Sequence, residues 1–326
     1  MPKKPCLFFP LFFVAIFLLP SDTFARKLTV DADGGSTYIS LSQALNASFS
    51  GDTIYIQGND IDTYSESWPS SRDANLTIMG ASSNPDSFPI ITFTAWNNYW
   101  QTGIGTTRLE RIVIKNWSII DLTKSSQRHC RIDKCIIRDH NSTVFQFSGD
   151  VAMFNRISIT NSIFWNNSSN IFAKPSTYNQ NGPYATVTNC TFYNNTGTIN
   201  AEDNISSFDA VTNKKIVVIK NSIFRNCPNI VADTDIKSAY TYNLLPQGQS
   251  GWGTGSIYTD NPGFVNGSPQ KASDFALLSS SPAKDNANNT GAPSVDITGS
   301  SRSGTYDIGA FEYGSSSGSG TNLYWD

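Results

Sequence analysis

Charge is scarce in this chain of 326 residues. Only 15% of its residues are Asp, Glu, Lys or Arg, and 23 basic against 26 acidic residues leave a net charge of −3. This balance argues against nucleic acid as a partner, because a protein that binds the phosphate backbone needs a basic surface. The chain also lacks a phosphate-binding loop, a dinucleotide-binding fingerprint and the spacing of a zinc site, so nothing in it indicates the enzymes that these motifs mark.

Apolar runs long enough to cross a membrane are missing as well. The longest, residues 7–19, is shorter than the roughly 20 residues that a membrane-spanning helix needs. It follows Lys3 and Lys4 and precedes the small residue Ala25, an order that is typical of a secretory signal peptide. We therefore predict that residues 1–25 are removed and that no transmembrane segment remains. The product is expected to be a monomer that is secreted or held at the cell surface.

What the chain does contain is a repeated phrase. NSIFWN at 161–166 recurs as NCTFYN at 189–194 and as NSIFRN at 221–226, and looser copies begin at 116 and 134. Successive copies are 18, 27, 28 and 32 residues apart, which matches single coils of a stacked β-solenoid. Asn tolerates the left-handed backbone of a tight corner, so the leading asparagines are expected to stack as a ladder of turns.

Residues 26–313 are predicted to form one β-helix domain. Residues 38–45 carry apolar side chains at helical spacing between two β-rich segments, and a helix there would cover the open end of the stack. After about residue 240 the phrase stops, and irregular coils are expected to finish the domain. Residues 314–326 begin as a Gly/Ser run, which predicts a disordered tail.

The four cysteines after the predicted signal peptide are Cys130, Cys135, Cys190 and Cys227. They are too few for a disulfide scaffold, although export permits disulfides. Two of them, Cys135 and Cys190, occupy the same position of the repeat. This favours a role as small buried apolar residues, and the sequence leaves their disulfide status open.

Both ends of the domain resemble known proteins. The opening TVDADGGSTYISLSQALNASFSGDTIYI, residues 29–56, resembles the N-terminal cap and first coil of pectin-lyase-like proteins. The ending resembles the terminal coils of the choice-of-anchor Q domain group through DNPGFV at 260–265, DFAL at 274–277, SPAKD at 281–285 and DIGAFEY at 307–313. The resemblance implies an all-β fold, a right-handed single-stranded parallel β-helix with an N-terminal capping helix, in an exported bacterial protein. It implies no reaction, because most members have no assigned activity.

A basic cluster is the strongest functional signal. Eight basic residues lie between positions 108 and 138, and both histidines of the chain lie in or beside this stretch. Neighbouring coils, about 4.8 Å apart, would gather these side chains into a positive patch. Such a patch suits the carboxylates or sulfates of an acidic polysaccharide, which arginine can bind with two parallel hydrogen bonds. We therefore predict that an extracellular polysaccharide or cell-surface glycan is bound by Arg128, Arg131, Lys134 and Arg138.

The same stretch also allows an enzyme. A polysaccharide lyase neutralises a uronate carboxylate with a cation, or with calcium, and removes the neighbouring C5 proton with a base. Lys124 would act with the arginines on the carboxylate, and His129 or His140 would be the base. Alternatively, the cluster is a solvated surface of a structural or adhesive protein. Its charges would then pair with Asp121, Asp133 and Asp139.

A glycoside hydrolase is the second enzyme that the chain allows. Asp121 and Asp139 share a position in the looser copies of the repeat and could form an acid/base pair. The later copies hold Asn at this position, so a structural ladder explains the column equally well. Asp233 and Asp235 are too few to claim a calcium site, so no metal ligands are predicted and calcium is left open as a cofactor.

Aromatic side chains offer a route to binding without catalysis. Trp165 and Tyr193 hold one repeat position, directly after the apolar pair of the phrase. Aromatic rings on a flat sheet stack well on the C–H faces of sugar rings, so both are predicted to contact the glycan. The alternative is that both rings are partly buried beneath loops.

Overall fold

The structure is a computed structural model. It describes residues 25–58, 63–66, 75–93, 105–115, 120–121, 128–146, 157–173, 185–201, 217–231, 237 and 240–315. Within these ranges the chain forms parallel strands that stack coil upon coil, together with one α-helix, α1 (Leu41–Ala47). No helix of the described part is both long and apolar enough to span a bilayer.

The strands build three sheets that run along the stack. Sheet 1 has eight strands, in the order β1 (Lys27–Val30), β2 (Thr53–Ile56), β4 (Leu76–Gly80), β6 (Gly105–Glu110), β9 (Arg128–Asp133), β12 (Ile157–Thr160), β15 (Ala185–Thr188) and β18 (Val217–Lys220). Sheet 2 has nine, in the order β3 (Thr63–Glu66), β5 (Ile90–Phe93), β7 (Val113–Lys115), β10 (Ile136–Arg138), β13 (Ile163–Trp165), β16 (Thr191–Tyr193), β19 (Ile223–Arg225), β20 (Leu244–Leu245) and β21 (Ile257–Tyr258). Sheet 3 has four, β8 (Ile120–Asp121), β11 (Phe145–Gln146), β14 (Phe172–Ala173) and β17 (Asn200–Ala201).

Each strand of a sheet pairs in parallel with the strand of the next coil, so the fold is the right-handed parallel β-helix that the sequence predicts. The phenylalanine of the repeated phrase points into the helix and stacks on its copies. The ring centroids of Phe164 and Phe192 are 4.6 Å apart, and those of Phe192 and Phe224 are 4.8 Å apart, with the rings nearly parallel. The phenylalanine rings are thus about as far apart as neighbouring strands of a sheet, so the rings stack at the same spacing as the coils.

The asparagine ladder of the sequence is confirmed where the structure describes it. Asn161, Asn189 and Asn221 lead their coils from sheet 1 into sheet 2 with φ values of 48°, 53° and 52°. The Nδ2 of Asn221 donates to the Oδ1 of Asn189 over 3.2 Å, which ties neighbouring coils together. Asn116 lies outside the described residues.

One copy of the repeat was placed wrongly by sequence. The register pairs Ile136 with Val113, and Arg111 has the left-handed φ of 55° that leads a coil, so this copy begins at Arg111 and not at residue 116. This copy is hard to recognise in the sequence, because its first residue is an arginine in place of Asn and arginine seldom adopts the left-handed conformation. As a consequence Asp121 lies in sheet 3, opposite Gln146, while Asp139 follows β10 of sheet 2. The two aspartates do not share a position, so the shared repeat position on which the hydrolase alternative rested is wrong.

The predicted capping helix is present at the N-terminal end. Leu41, Ala44 and Leu45 of α1 are buried in the same core as the first strands. Ser40 accepts a hydrogen bond from the backbone N–H of Gln43 over 3.2 Å, and the Gln43 side chain accepts one from the N–H of Ile39. The first bond satisfies a donor of the first helical turn, and the second holds the residue that precedes the cap.

Beyond β21 the chain folds back over the outer face of sheet 2. We call residues 262–313 the cover. Its apolar side chains, among them Phe264, Phe275 and Ile308, form a second core with Ile163 and Ile223, which point outward from sheet 2. At its far side Ser273 of the cover donates from its N–H and its hydroxyl to the carboxylate of Asp86, over 2.8 and 2.6 Å. The middle of sheet 2, from Val113 to Leu244, is therefore buried on both faces.

A buried arginine holds the end of the cover in place. The Arg302 side chain is fully buried and donates to Glu312 Oε2 over 3.1 Å, to the carbonyl of Gly309 over 2.9 Å and to Asn161 Oδ1 over 3.1 Å. Burial lowers the pKa of Arg302, and the same burial raises the pKa of Glu312. Asn189 also reaches this segment, because its Nδ2 donates to the carbonyl of Asp307 over 2.9 Å. The turn ladder and the DIGAFEY ending therefore bind each other.

Replacing Arg302 with Met should destabilise the protein strongly. The substitution leaves the buried carboxylate of Glu312 without its cation, a loss that typically costs about 3–5 kcal/mol. Urea denaturation followed by tryptophan fluorescence measures the change, because Trp165 lies under the cover. Exposed Arg131 replaced with Met is the control and should change the free energy of unfolding by about 0.5 kcal/mol at most. Equal effects of the two variants would contradict the role given to Arg302.

The four described cysteines are free and buried. Burial raises the pKa of the Cys130 and Cys190 thiols to about 12 and that of Cys227 to about 11. This agrees with the expectation that they serve as small apolar core residues. Because the reactive form is the thiolate, their reactivity at neutral pH should be very low.

Native protein should therefore resist alkylation by iodoacetamide at pH 8, and protein unfolded in urea should be alkylated at Cys130, Cys135, Cys190 and Cys227. Mass spectrometry of both samples without prior reduction checks this. Labelling of any of these thiols in the native state, or disulfide-linked peptides in the unfolded sample, would contradict the structure.

Candidate functional site

Most of the predicted basic cluster is already paired. Arg108 lies 2.8 Å from Glu110, and Lys134 lies 3.1 Å from the other oxygen of the same carboxylate. Arg111 is 3.7 Å from Glu110, and Asp133 lies within 3.6 Å of Arg108 and Lys134. We call these five residues the corner network. Three cations share two carboxylates here, so the site holds much less free positive charge than the sequence indicates.

The register of sheet 1 builds the corner network. Glu110 and Asp133 are partners on the adjacent strands β6 and β9, so their carboxylates lie one above the other. Asp133 also accepts from the hydroxyl of Thr160 over 2.7 Å and from Nδ2 of Asn161 over 3.0 Å, one coil further on. The stack of two like charges is stabilised by the cations between them.

A similar pairing occurs on sheet 2. Lys115 and Arg138 are register partners, and both face the carboxylate of Asp139, at 3.2 and 3.8 Å. The pairing of basic residues with Asp133 and Asp139, which the sequence left as an alternative, is therefore what the structure contains. The Asp121 side chain is not among the described parts.

Arg131 differs from the rest of the cluster. It is exposed on the outer face of sheet 1 and has no ion pair with any described residue. Its register partners are Arg108 on one side and Ser158 on the other. His129 is two residues away on the same strand and therefore on the same face, where it is half-buried. Arg128 begins β9, but its side chain and the whole of Lys124 lie outside the described residues.

Hydroxyl side chains continue the line of Arg131 along the sheet. The register places Thr53, Thr77, Arg108, Arg131, Ser158 and Thr186 in one column of the outer face of sheet 1. Their Cβ atoms follow the helix axis at the strand spacing of about 4.8 Å. The cover reaches this face at its last strand, β18, where the ammonium of Lys220 donates to the carbonyl of Thr290.

The two predicted bases lie in different environments. His140 is only 1% exposed, and its Nε2 is 3.3 Å from the carbonyl oxygen of Ile114. Its backbone N–H donates to Oδ1 of Asn167, which belongs to a second, buried asparagine ladder with Asn195. His140 thus lies in the interior, where a polymeric substrate does not reach, and only His129 shares a face with Arg131.

The predicted aromatic contacts lie beneath the cover. Trp165 is 6% exposed, and its ring centroid is 5.3 Å from that of Phe275. The Tyr193 ring is also 5.3 Å from Phe275 and packs against the second core. The structure therefore agrees with the alternative of partly buried aromatics, with neither ring on the open face of sheet 1.

Metal ligands are not gathered anywhere in the described part of the chain, where no three His, Cys, Asp or Glu side chains lie close enough to hold an ion. Asp233 and Asp235, which were considered for calcium, lie outside the described residues.

No protein-family model matches the chain, and no curated protein matches it either. Among solved structures, the chain is similar to a deglycosylated pectin methylesterase from Aspergillus niger, with 15% identity and a TM-score of 0.42 over 72% of this chain and 86% of that one. A second structure of that enzyme has 15% identity and a TM-score of 0.36 over 80% and 92% of the two chains. The pectate lyase Pel9A has 10% identity and a TM-score of 0.29 over 88% and 96%.

Proposed function

We propose that the protein binds an anionic extracellular polysaccharide along the outer face of sheet 1, with Arg131 as the main charged contact. One observation carries this: Arg131 is an exposed arginine on an open face, without an ion pair to any described residue. An unpaired guanidinium offers a planar pair of donors that matches a carboxylate or sulfate group. We also infer that residues 1–25 direct export, which would bring this face to its substrate.

The shape of the face supports a polymer as the ligand. The hydroxyl residues Thr77, Ser158 and Thr186 extend in line with Arg131, so a linear chain lying along the helix axis would meet a polar group at each coil from β4 to β15. The overall charge of −3 repels a polyanion at long range. Binding therefore depends on local pairing and should weaken as salt increases.

Lyase chemistry is a second candidate, because His129 lies on the same face as Arg131. Residues i and i+2 of a strand are about 7 Å apart, close enough to act on one sugar ring. Arg131 would neutralise the uronate carboxylate, and neutral His129 would accept the C5 proton. The C4–O bond would then break as the C4=C5 double bond forms, and the leaving oxygen would take up a proton.

Replacing Arg131 with Gln should weaken binding to polygalacturonate, alginate or chondroitin sulfate about tenfold or more at low salt, because a hydrogen bond to a charged group is worth about 1.5–3 kcal/mol. Affinity electrophoresis in gels that contain each polymer measures this. Arg225 replaced with Gln is the matched control, since it removes the same charge from a sheet 2 strand and should leave binding unchanged. Unchanged mobility of the Arg131 variant on every polymer that retards the parent protein would contradict the proposal.

The same samples distinguish binding from catalysis. Unsaturated products absorb in the ultraviolet, so their formation on incubation with each polymer would favour the lyase. In that case His129→Gln should abolish turnover while leaving retardation in the gels intact. If the gels retard the protein but no unsaturated products form, the protein binds the polymer without cleaving it by elimination.

A further inference from the structure

We propose that a second site, a pocket between the cover and sheet 2, binds a single carboxylate-bearing sugar ring, a hexuronate, through Arg138. The pocket lies on a different sheet from Arg131, so the inference stands whether or not sheet 1 binds a polymer. It encloses about 110 Å³. Its walls come from four parts of the chain: Gly58, the segment 85–90, the outer face of β7, β10 and β13, and residues 270–272 of the cover.

One hydrogen-bond donor of Arg138, its Nε, is buried and has no hydrogen-bond partner among the described residues. The nearest carboxylate oxygen, on Asp139, is 3.8 Å away and also pairs with Lys115 at 3.2 Å. The protein itself therefore leaves this guanidinium only weakly paired. Because Nε has almost no surface open to solvent, an incoming carboxylate would pair with the guanidinium through the remainder of the side chain, which is 26% exposed.

The position of the guanidinium is fixed before any ligand arrives. Its central carbon lies 5.4 Å from the centroid of the Trp165 ring, and Trp165 is held edge-on by Phe275 of the cover. The side chain of Arg138 is 26% exposed and so remains reachable from solvent. A cation that is already oriented loses little freedom when it binds.

The apolar walls of the pocket favour a sugar ring, and charged residues lie at its rim. Phe88 and Ile136 are 4% and 3% exposed and form an apolar surface against which the C–H face of a sugar can lie. At the rim, Lys271 lies 3.5 Å from Asp86, whose carboxylate also accepts both hydrogen bonds of Ser273. Arg138 and Lys271 are each paired with a carboxylate, Asp139 and Asp86, and Lys115 shares Asp139. Three cations against two carboxylates leave one positive charge in excess, which favours an anion.

The carboxylate of the ligand should be planar and singly charged. A planar carboxylate can take two parallel hydrogen bonds from one guanidinium, and the enclosed volume suits one ring and not an oligosaccharide. The hexuronate could enter as a free sugar acid or as the terminal ring of an acidic glycan. Both sources present the same chemistry to Arg138.

Isothermal titration of the full mature chain with galacturonate and with glucuronate tests the site. We expect saturable binding of at least one of them, and at least tenfold weaker binding of its methyl ester and of the corresponding neutral hexose. Arg138→Gln should lower the affinity at least tenfold, and Arg138→Lys, which keeps the charge but not the planar fork, should lower it less. No saturable binding by the parent protein at millimolar concentrations, or equal binding of acid and ester, would overturn the proposal.

Two controls separate this site from sheet 1. Arg225→Gln removes an arginine from the same column of sheet 2, outside the pocket, and should bind the sugar acid as the parent does. Arg131→Gln should also retain sugar-acid binding even if it loses the polymer. If Arg138→Gln binds the acid as tightly as the parent, the site is wrong. Should that variant not fold, exposed Lys271→Gln should still reduce affinity, and an unchanged affinity would count against the pocket.

One competition experiment distinguishes a free sugar acid from the terminal ring of a glycan as the ligand. A short oligogalacturonate that displaces the bound monomer shows that the pocket accepts a chain end, and failure to displace it shows that the free sugar acid is the ligand. Both results support the site. Inorganic phosphate that displaces the monomer with equal affinity would contradict selection of a carboxylate-bearing ring.

Discussion

From β6 to β19, each coil passes from sheet 1 into sheet 2 through a residue in the left-handed conformation, and this turn determines what each face can do. Asn161, Asn189 and Asn221 hold it at low cost. Arg111 and Lys134 hold it as well, although the conformation is unfavourable for such residues by about 1–2 kcal/mol. Both cations gain a contact with the carboxylate of Glu110 in return.

The same turn joins the helix to its cover. The side-chain amides of Asn161 and Asn189 reach Arg302 and the carbonyl of Asp307, so a ladder that first fixes the coils also binds the end of the chain. This contact holds the cover over the middle of sheet 2, whereas on sheet 1 the cover contacts Lys220 of the last strand. The open face keeps the exposed Arg131, and the covered face keeps the pocket of Arg138.

Much of the fold could be predicted from sequence, since the repeat appears directly in the residues. The inward phenylalanines, the left-handed asparagines and the capping helix follow from spacing and residue type. The burial of sheet 2 on both faces was not predicted, although the repeat contains a signal for it. Ile163 and Phe164 are adjacent and both apolar, whereas a strand with one face in solvent alternates between apolar and polar residues.

The site could be predicted only in part. The stretch that carries the cations was found, but their partners depend on the register, which brings Glu110 beside Asp133 from 23 positions away. The residues around each position do not reveal that these two carboxylates are close in space. The sequence could not decide between an exposed and a buried Trp165 for the same reason, because Phe275, which covers it, lies 110 residues further along the chain.

The central claim is that the cover seals sheet 2 while sheet 1 faces solvent. Hydroxyl-radical footprinting of the native protein, read residue by residue, tests it most directly. Tyr55 and Met79 on the outer face of sheet 1 should be oxidised rapidly. Trp165 and Phe275, in spite of the high intrinsic reactivity of tryptophan, should be protected until the protein is unfolded. Oxidation of Trp165 and Phe275 as fast as that of Tyr55 would contradict the account.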